Sequence, residues 1–179
     1  MKRLSTPRPA RAPRFLACRE GGASIEFVVV FPLLFLIFAT LVEVGFMGMR
    51  AIMLDRGLDM TARNLRLGYT VGATHATIKA DVCEHSVVLF NCERDLVIEL
   101  VPMDLAAAYP QNQPTCRDRT SALNPVITPN FGAREETMFI RACMIVDPIF
   151  PGVGFGLALP KDTSGGYQLV TYTAFRNEP

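Results

Sequence analysis

Few side chains in this sequence are suited to chemistry. It has five cysteines and two histidines, with Cys83, His85 and Cys92 close together and His75 a little upstream. Thiolates and imidazoles bind zinc, but this spacing fits neither a C-x-x-C nor an H-x-x-x-H pattern, so no metal is expected. No G-x-S-x-G, phosphate-loop or H-E-x-x-H pattern occurs. Glycines 152, 154 and 156 make a glycine-rich stretch, but Pro148 and Pro151 precede it and no amphipathic helix follows. It reads as a surface turn rather than a nucleotide cradle. Asp104, Glu135, Glu136 and Asp147 read as solvated surface carboxylates. Two histidines, both near Cys83, leave little material for a triad, so the expectation is a non-enzyme without cofactor or metal. Two carboxylates stand out by position. Glu26 and Glu43 bound an apolar run, 17 residues apart. That is about 25 Å along a helix, so one would sit at each edge of a hydrocarbon layer. Position alone reads Glu43 as an interfacial carboxylate with no further role.

The segment between them positions both. Residues 27–42 read FVVVFPLLFLIFATLV without a charge, and apolar character resumes after Glu43 as VGFMGM. Counted to Met49, the stretch is close to the ~20 residues a helix needs to span ~30 Å of hydrocarbon. It is apolar on every side, so no stripe confines it to one surface, and a chain of 179 residues cannot bury such a helix in its core. Pro32 lies near the helix start, where a membrane helix tolerates it.

Half the chain is apolar and 20% is charged, which excludes disorder throughout, and a net charge of +1 does not suit a nucleic-acid binder. The average conceals an asymmetry. Residues 1–22 carry six basic side chains and one acidic one, while the other 157 residues carry 12 basic and 16 acidic. A basic flank directly before an apolar helix keeps the N-terminus in the cytoplasm and sends everything after about residue 49 across the membrane. Cys18 falls in the basic leader. Cys83, Cys92, Cys116 and Cys143 then form an even set in an oxidising compartment, read as two disulfides. An ordinary signal peptide fits poorly, because the apolar run exceeds ~7–15 residues and no A-x-A-like site follows it.

The residues at the threshold are Arg19-Glu20-Gly21-Gly22-Ala23-Ser24-Ile25-Glu26-Phe27. This arrangement resembles a type IV prepilin processing site, in which cleavage follows a glycine and glutamate is the fifth mature residue. Counting back from Glu26 makes Gly22 the first mature residue and Gly21 the residue before the cut. Glycine suits a bond that a peptidase must hold extended and unhindered. The resemblance implies loss of the basic leader to a prepilin peptidase. It also implies pairing of Glu26 with the free amine of a neighbouring subunit, an attraction strengthened at low dielectric.

More specifically, GGASIEFVVVFPLLFLIFATLVEVGFM resembles the opening of the TadE-like family of minor pseudopilins. The matching elements are Ile25, Glu26-Phe27, Pro32, and Glu43 with Gly45. The likeness is specific over 19–68; beyond that, only a disulfide-bearing α+β character is shared. It implies a structural role in the tight-adherence pilus machine of the bacterial inner membrane. The implied partners are the lipid bilayer, the prepilin peptidase, other pseudopilins and pilus assembly proteins, and no nucleic acid. The alternative is an uncleaved, single-pass anchored periplasmic domain that binds a ligand or envelope partner.

After the membrane, residues 49–67 continue as an amphipathic helix. Ile52, Leu54, Leu58, Ala62 and Leu65 approximate one stripe, Asp59 and Arg63 pair at i, i+4, and Gly68 is the stop. Residues 75–89 form a second helix behind Thr74 as N-cap. Strands follow at 96–103, at 138–146 with one apolar face, and at 167–175. Between the first two strands lies a long proline-bearing stretch tethered by Cys116. Four cysteines allow three connectivities. Cys83–Cys92 with Cys116–Cys143 is preferred, since it pins the second helix to the first strand and the long loop to the second. The fold class is α+β: a basic leader (1–21), a transmembrane helix (22–49), and a stalk with a small disulfide-stapled antiparallel-sheet head in the periplasm (50–179).

Overall fold

The computed structural model describes residues 22–69, 72–103, 112–121 and 129–178. Helix α1 runs unbroken from Gly22 to Arg66, 45 residues and about 67 Å, passing through Pro32. Its two halves differ. Residues 24–38 are exposed on all sides, whereas beyond them Ala39, Glu43, Leu54, Leu58, Thr61 and Ala62 are buried. With the half-buried Met47, Ala51 and Leu65 these form one stripe at spacings of three and four. Ile52 does not belong to the stripe. It is 66% exposed, because two residues before Leu54 is about 200° round the helix. The helix ends in a Schellman motif at Gly68 (φ 70°), with Tyr69 N–H donating to Asn64 O and Gly68 N–H to Leu65 O, each at 3.1 Å.

Helix α2 (His75–Glu84) opens on a capping box in which Thr74 Oγ1 accepts from Thr77 N–H and Thr77 Oγ1 accepts from Thr74 N–H. It stops earlier than its apolar pattern suggests. The chain turns at His85, and Cys92–Asp95 form a separate short helix, α3, entered through Asn91 at φ 55°. Ile78 and Val82 of α2 pack on α1, where Gly57 sets the separation. A Cβ at Gly57 would collide with Ser86 Oγ and come within 2.6 Å of the Val82 carbonyl oxygen. Gly57→Ala therefore forces the helices apart despite its better helix propensity. It is expected to lower stability by about 1–3 kcal/mol, read as a lower denaturation midpoint. An unchanged or higher midpoint would show that the contact relaxes without cost.

Strands β1 (Val97–Met103), β2 (Thr137–Val146) and β3 (Tyr167–Arg176) form one antiparallel sheet with β2 in the centre. Its inner face sets Ile98 and Leu100, then Met138, Ile140, Ala142 and Met144, then Leu169 against Leu54, Leu58 and Ala62 of α1. β2 differs from the one-faced strand expected of it, since Phe139, Arg141, Cys143 and Ile145 on the outer face are buried as well. Segment 112–121 reaches that face: Asn112 O accepts from Arg141 and Thr115 N–H donates to Glu99. The glycine-rich stretch holds a short helix, α4 (Gly154–Ala158), that packs on α1 rather than standing free as a surface turn.

Candidate functional site

The residues expected from the sequence to form a processing site fall at the start of α1. Gly22 opens the helix and is exposed; Gly21 and the leader, with Cys18, lie outside the described residues. Glu26 is exposed on the second turn and, among the described residues, accepts no hydrogen bond. Its surroundings are Ile25, Phe27 and the valines beyond, all open to the exterior. The phenylalanines at i, i+4 stack into a ladder, with Phe27–Phe31 at 5.1 Å and Phe31–Phe35 at 6.1 Å, and Phe35 meets the edge of Phe150 at 6.5 Å.

Phe150 belongs to the part of the site that sequence reasoning missed. Glu43 is 1% exposed, so it is no idle interfacial carboxylate. Its Oε1 accepts from Ile149 N–H at 3.2 Å and its Oε2 from Phe150 N–H at 2.8 Å, across more than 100 residues of chain. The segment it holds, 148–160, lies like a finger along α1 toward the helix N-terminus. Small residues allow the approach. Gly154, at φ 57°, rests on Thr40 and the Leu36 carbonyl, and Gly156 fits between Phe150 O and Glu43. The legible signal was the spacing of the three glycines together with a charge-free stretch between Asp147 and Lys161.

The base of the finger is polar. Arg50 donates to Asp147 O at 2.8 Å, and Arg119 grips both Asp147 carboxyl oxygens at 2.8 and 2.5 Å. Asp147 is thus an ion-pair partner rather than a lone solvated carboxylate, and hydrogen bonding from Arg119 holds its carboxyl below the ordinary range. Glu135 pairs loosely with Arg176, Glu136 accepts from Ala133 N–H, and Asp104 lies outside the described residues.

The cysteines and histidines separate into structural roles. Cys83 joins Cys92 and Cys116 joins Cys143, with Cα atoms 5.7 and 5.1 Å apart, so of the three connectivities the local one is present. His75 Nε2 accepts from Ile98 N–H at 3.4 Å, and His85 Nδ1 lies 2.9 Å from Asp81 O. Burial lowers the His75 pKa, with the Lys79 charge adding to the effect. Among the described residues no three His, Cys, Asp or Glu side chains converge on a metal-sized site.

Two carboxylates, the buried Asp95 and the half-buried Glu99, tie stability to pH. Hydrogen bonding from Arg94 holds Asp95 down, aided by the Arg94, Arg117 and Arg119 charges and opposed by burial. Burial pushes Glu99 up, but hydrogen bonds from Thr115 and Arg141 and the Arg141 charge outweigh it and leave its pKa lowered. Both folded pKa values lie below the unfolded ones, so their stabilisation is complete above the ordinary carboxylate range and is lost as pH falls through the folded values. For these carboxylates the midpoint is expected to be insensitive above about pH 5 and to drop below about pH 4, while the lowered His75 pKa removes some stability as pH falls through the ordinary histidine range. A midpoint flat down to about pH 2 would mean that neither pair contributes.

Among the described residues one helix is long and apolar enough to cross a membrane, and it continues as a stalk against a disulfide-stapled α+β head, the architecture of a stalk-and-head protein. Residues 21–63 match the family model of TadE-like proteins, so the chain carries a TadE-like domain over its apolar helix and most of the stalk. No curated protein and no solved structure matches the chain.

Proposed function

We infer that the chain is a TadE-like minor pseudopilin, a structural component of the tight-adherence pilus machine in the inner membrane rather than an enzyme. The observation that carries this is α1 itself. Its exposed apolar half, charged only at Glu26, and its packed half form one continuous rod, and the TadE-like match covers most of both. The basic residues before it support an orientation with the N-terminus in the cytoplasm and the head in the periplasm. Prepilin peptidase cuts between Gly21 and Gly22, and the exposed Glu26 pairs with the new amine of a neighbouring subunit. The bare apolar surface of 27–38 supplies the packing for helix bundling with other pseudopilins.

The test is the N-terminal sequence and mass of the protein from native membranes, with and without the prepilin peptidase. The expected result is a start at Gly22 that disappears when the peptidase is absent, with Glu26→Ala cleaved but poorly assembled. An intact N-terminus in both strains would sink the processing claim and leave an uncleaved anchored domain. A start beyond the apolar run would mean a secreted protein.

A further inference from the structure

The finger at 148–160 has a position that the pilin reading does not explain. It is 13 residues without a charge, and its exposed side chains include Ile149 and Leu157, the latter 64% exposed. Its neighbours on α1 are Phe35, Leu36, Thr40 and Glu43, most of them inside the apolar run. With Glu26 at the cytoplasmic edge, about 30 Å of hydrocarbon extends roughly 20 residues along α1, to the neighbourhood of Phe46. On that scale the contacts from Glu43 back to Leu36 lie about 5–15 Å inside the far edge. A bilayer that covers the apolar half of α1 must then meet the finger as well.

We propose that the finger is a second membrane contact, a loop immersed beside α1 in the outer leaflet whose occupant is the acyl chains of the same bilayer. The proposal rests on the reading of α1 as membrane-spanning. Part of its backbone meets the condition for immersion. Irregular backbone at membrane depth is tolerated only when its polar groups are satisfied within the protein. Pro148, Pro151 and Pro160 have no N–H to satisfy. Ile149 and Phe150 give theirs to Glu43, Val153 donates to Phe150 O, and Leu159 donates to Phe155 O. The arrangement is reciprocal, because the finger shields a carboxyl group that would otherwise be costly at that depth. The charged groups lie at the base of the finger, as headgroup contacts should: Arg50, Arg119 and Asp147 on one side, and Lys161, which donates to Pro151 O, on the other.

The chain contains no tryptophan, so single-tryptophan variants are clean probes. The full chain is reconstituted in phosphatidylcholine–phosphatidylglycerol vesicles carrying lipids brominated at shallow or deep acyl positions. Leu157→Trp reports on the finger, with Ile149→Trp as a second reporter should the first misfold. Leu34→Trp reports on the exposed part of α1, and Val87→Trp, 84% exposed on the head, serves as the aqueous control. Quenching of Leu157→Trp by about twofold or more with shallow bromines, with Leu34→Trp quenched and Val87→Trp not, is the expected result. Quenching of Leu34→Trp with both finger reporters untouched overturns the immersion, whether water or a second copy of the chain covers the loop. Absence of quenching at Leu34→Trp overturns the membrane-spanning reading, and the immersion fails with it.

Discussion

Glu43→Ala is expected to release the 148–160 finger from α1 while leaving the three-stranded sheet in place. The carboxyl group is the sole connection between the Ile149–Phe150 turn and the helix that involves a side-chain acceptor among the described residues. Removing it leaves two N–H groups unpaired next to apolar side chains, at about 1–3 kcal/mol each. Glu43→Gln retains one carbonyl oxygen and turns an amide donor toward the other N–H, so it should cost about half as much. Every 1.4 kcal/mol multiplies the open population about tenfold. In detergent, cleavage after Phe155 or Leu157 by a protease specific for large apolar residues should therefore accelerate by roughly tenfold or more in Glu43→Ala, as long as opening is fast relative to cutting. Glu43→Gln should fall between this variant and the parent. Equal cleavage rates in all three would mean that helix packing at Gly154 and Gly156, rather than the carboxyl group, holds the finger. The head core should be indifferent, since Leu54, Leu58 and the inner sheet face lie beyond the finger along α1.

Why the partners of Glu43 escaped the sequence reading, which singled out Glu26 instead, is a matter of range. Glu26 sits in a local pattern of glycines before it, an aromatic after it and an apolar helix beyond, and local pattern is what a sequence displays. The partners of Glu43 are 106 and 107 residues away, and no periodicity links them. The same distinction runs through the fold. The long helix, its stop at Gly68, the Thr74 cap and the approximate strands were legible because each depends on neighbours within a few residues. Ile52 was misplaced because a stripe that includes both it and Leu54 fits no single 3.6-residue face. The double burial of β2 was hidden for another reason. Arg141 alternates with apolar residues just as an outward-facing residue would, and it is buried only because Glu99 across the strand pair and Asn112 from the overlying segment satisfy its guanidinium. A paired charge and a solvated one look the same in one dimension.

That overlying segment depends on its covalent tether, and the Cys116→Ser/Cys143→Ser double variant should be the most destabilised of the disulfide variants. The bridge spans 27 residues and ends at the middle of β2, beside Val97 on one neighbouring strand and Val170 on the other. On the chain-entropy model, closing a loop of that length is worth about 3–4 kcal/mol, against about 2–3 kcal/mol for the 9-residue span of Cys83–Cys92. In a small domain whose whole stability is on the order of 5–15 kcal/mol, the first figure is a large fraction. Packing should widen the gap. Freeing segment 112–121 takes Asn112 O from the buried Arg141 and Thr115 N–H from Glu99, leaving a largely buried ion pair without its outer hydrogen bonds. The expected order of denaturation midpoints is parent, then Cys83→Ser/Cys92→Ser, then Cys116→Ser/Cys143→Ser. Double substitution is needed because a single serine leaves a free thiol able to pair with another cysteine. If the Cys83→Ser/Cys92→Ser variant proves the less stable, loop length is not the governing quantity. The bridge between α2 and α3 would then be the one on which the head is built.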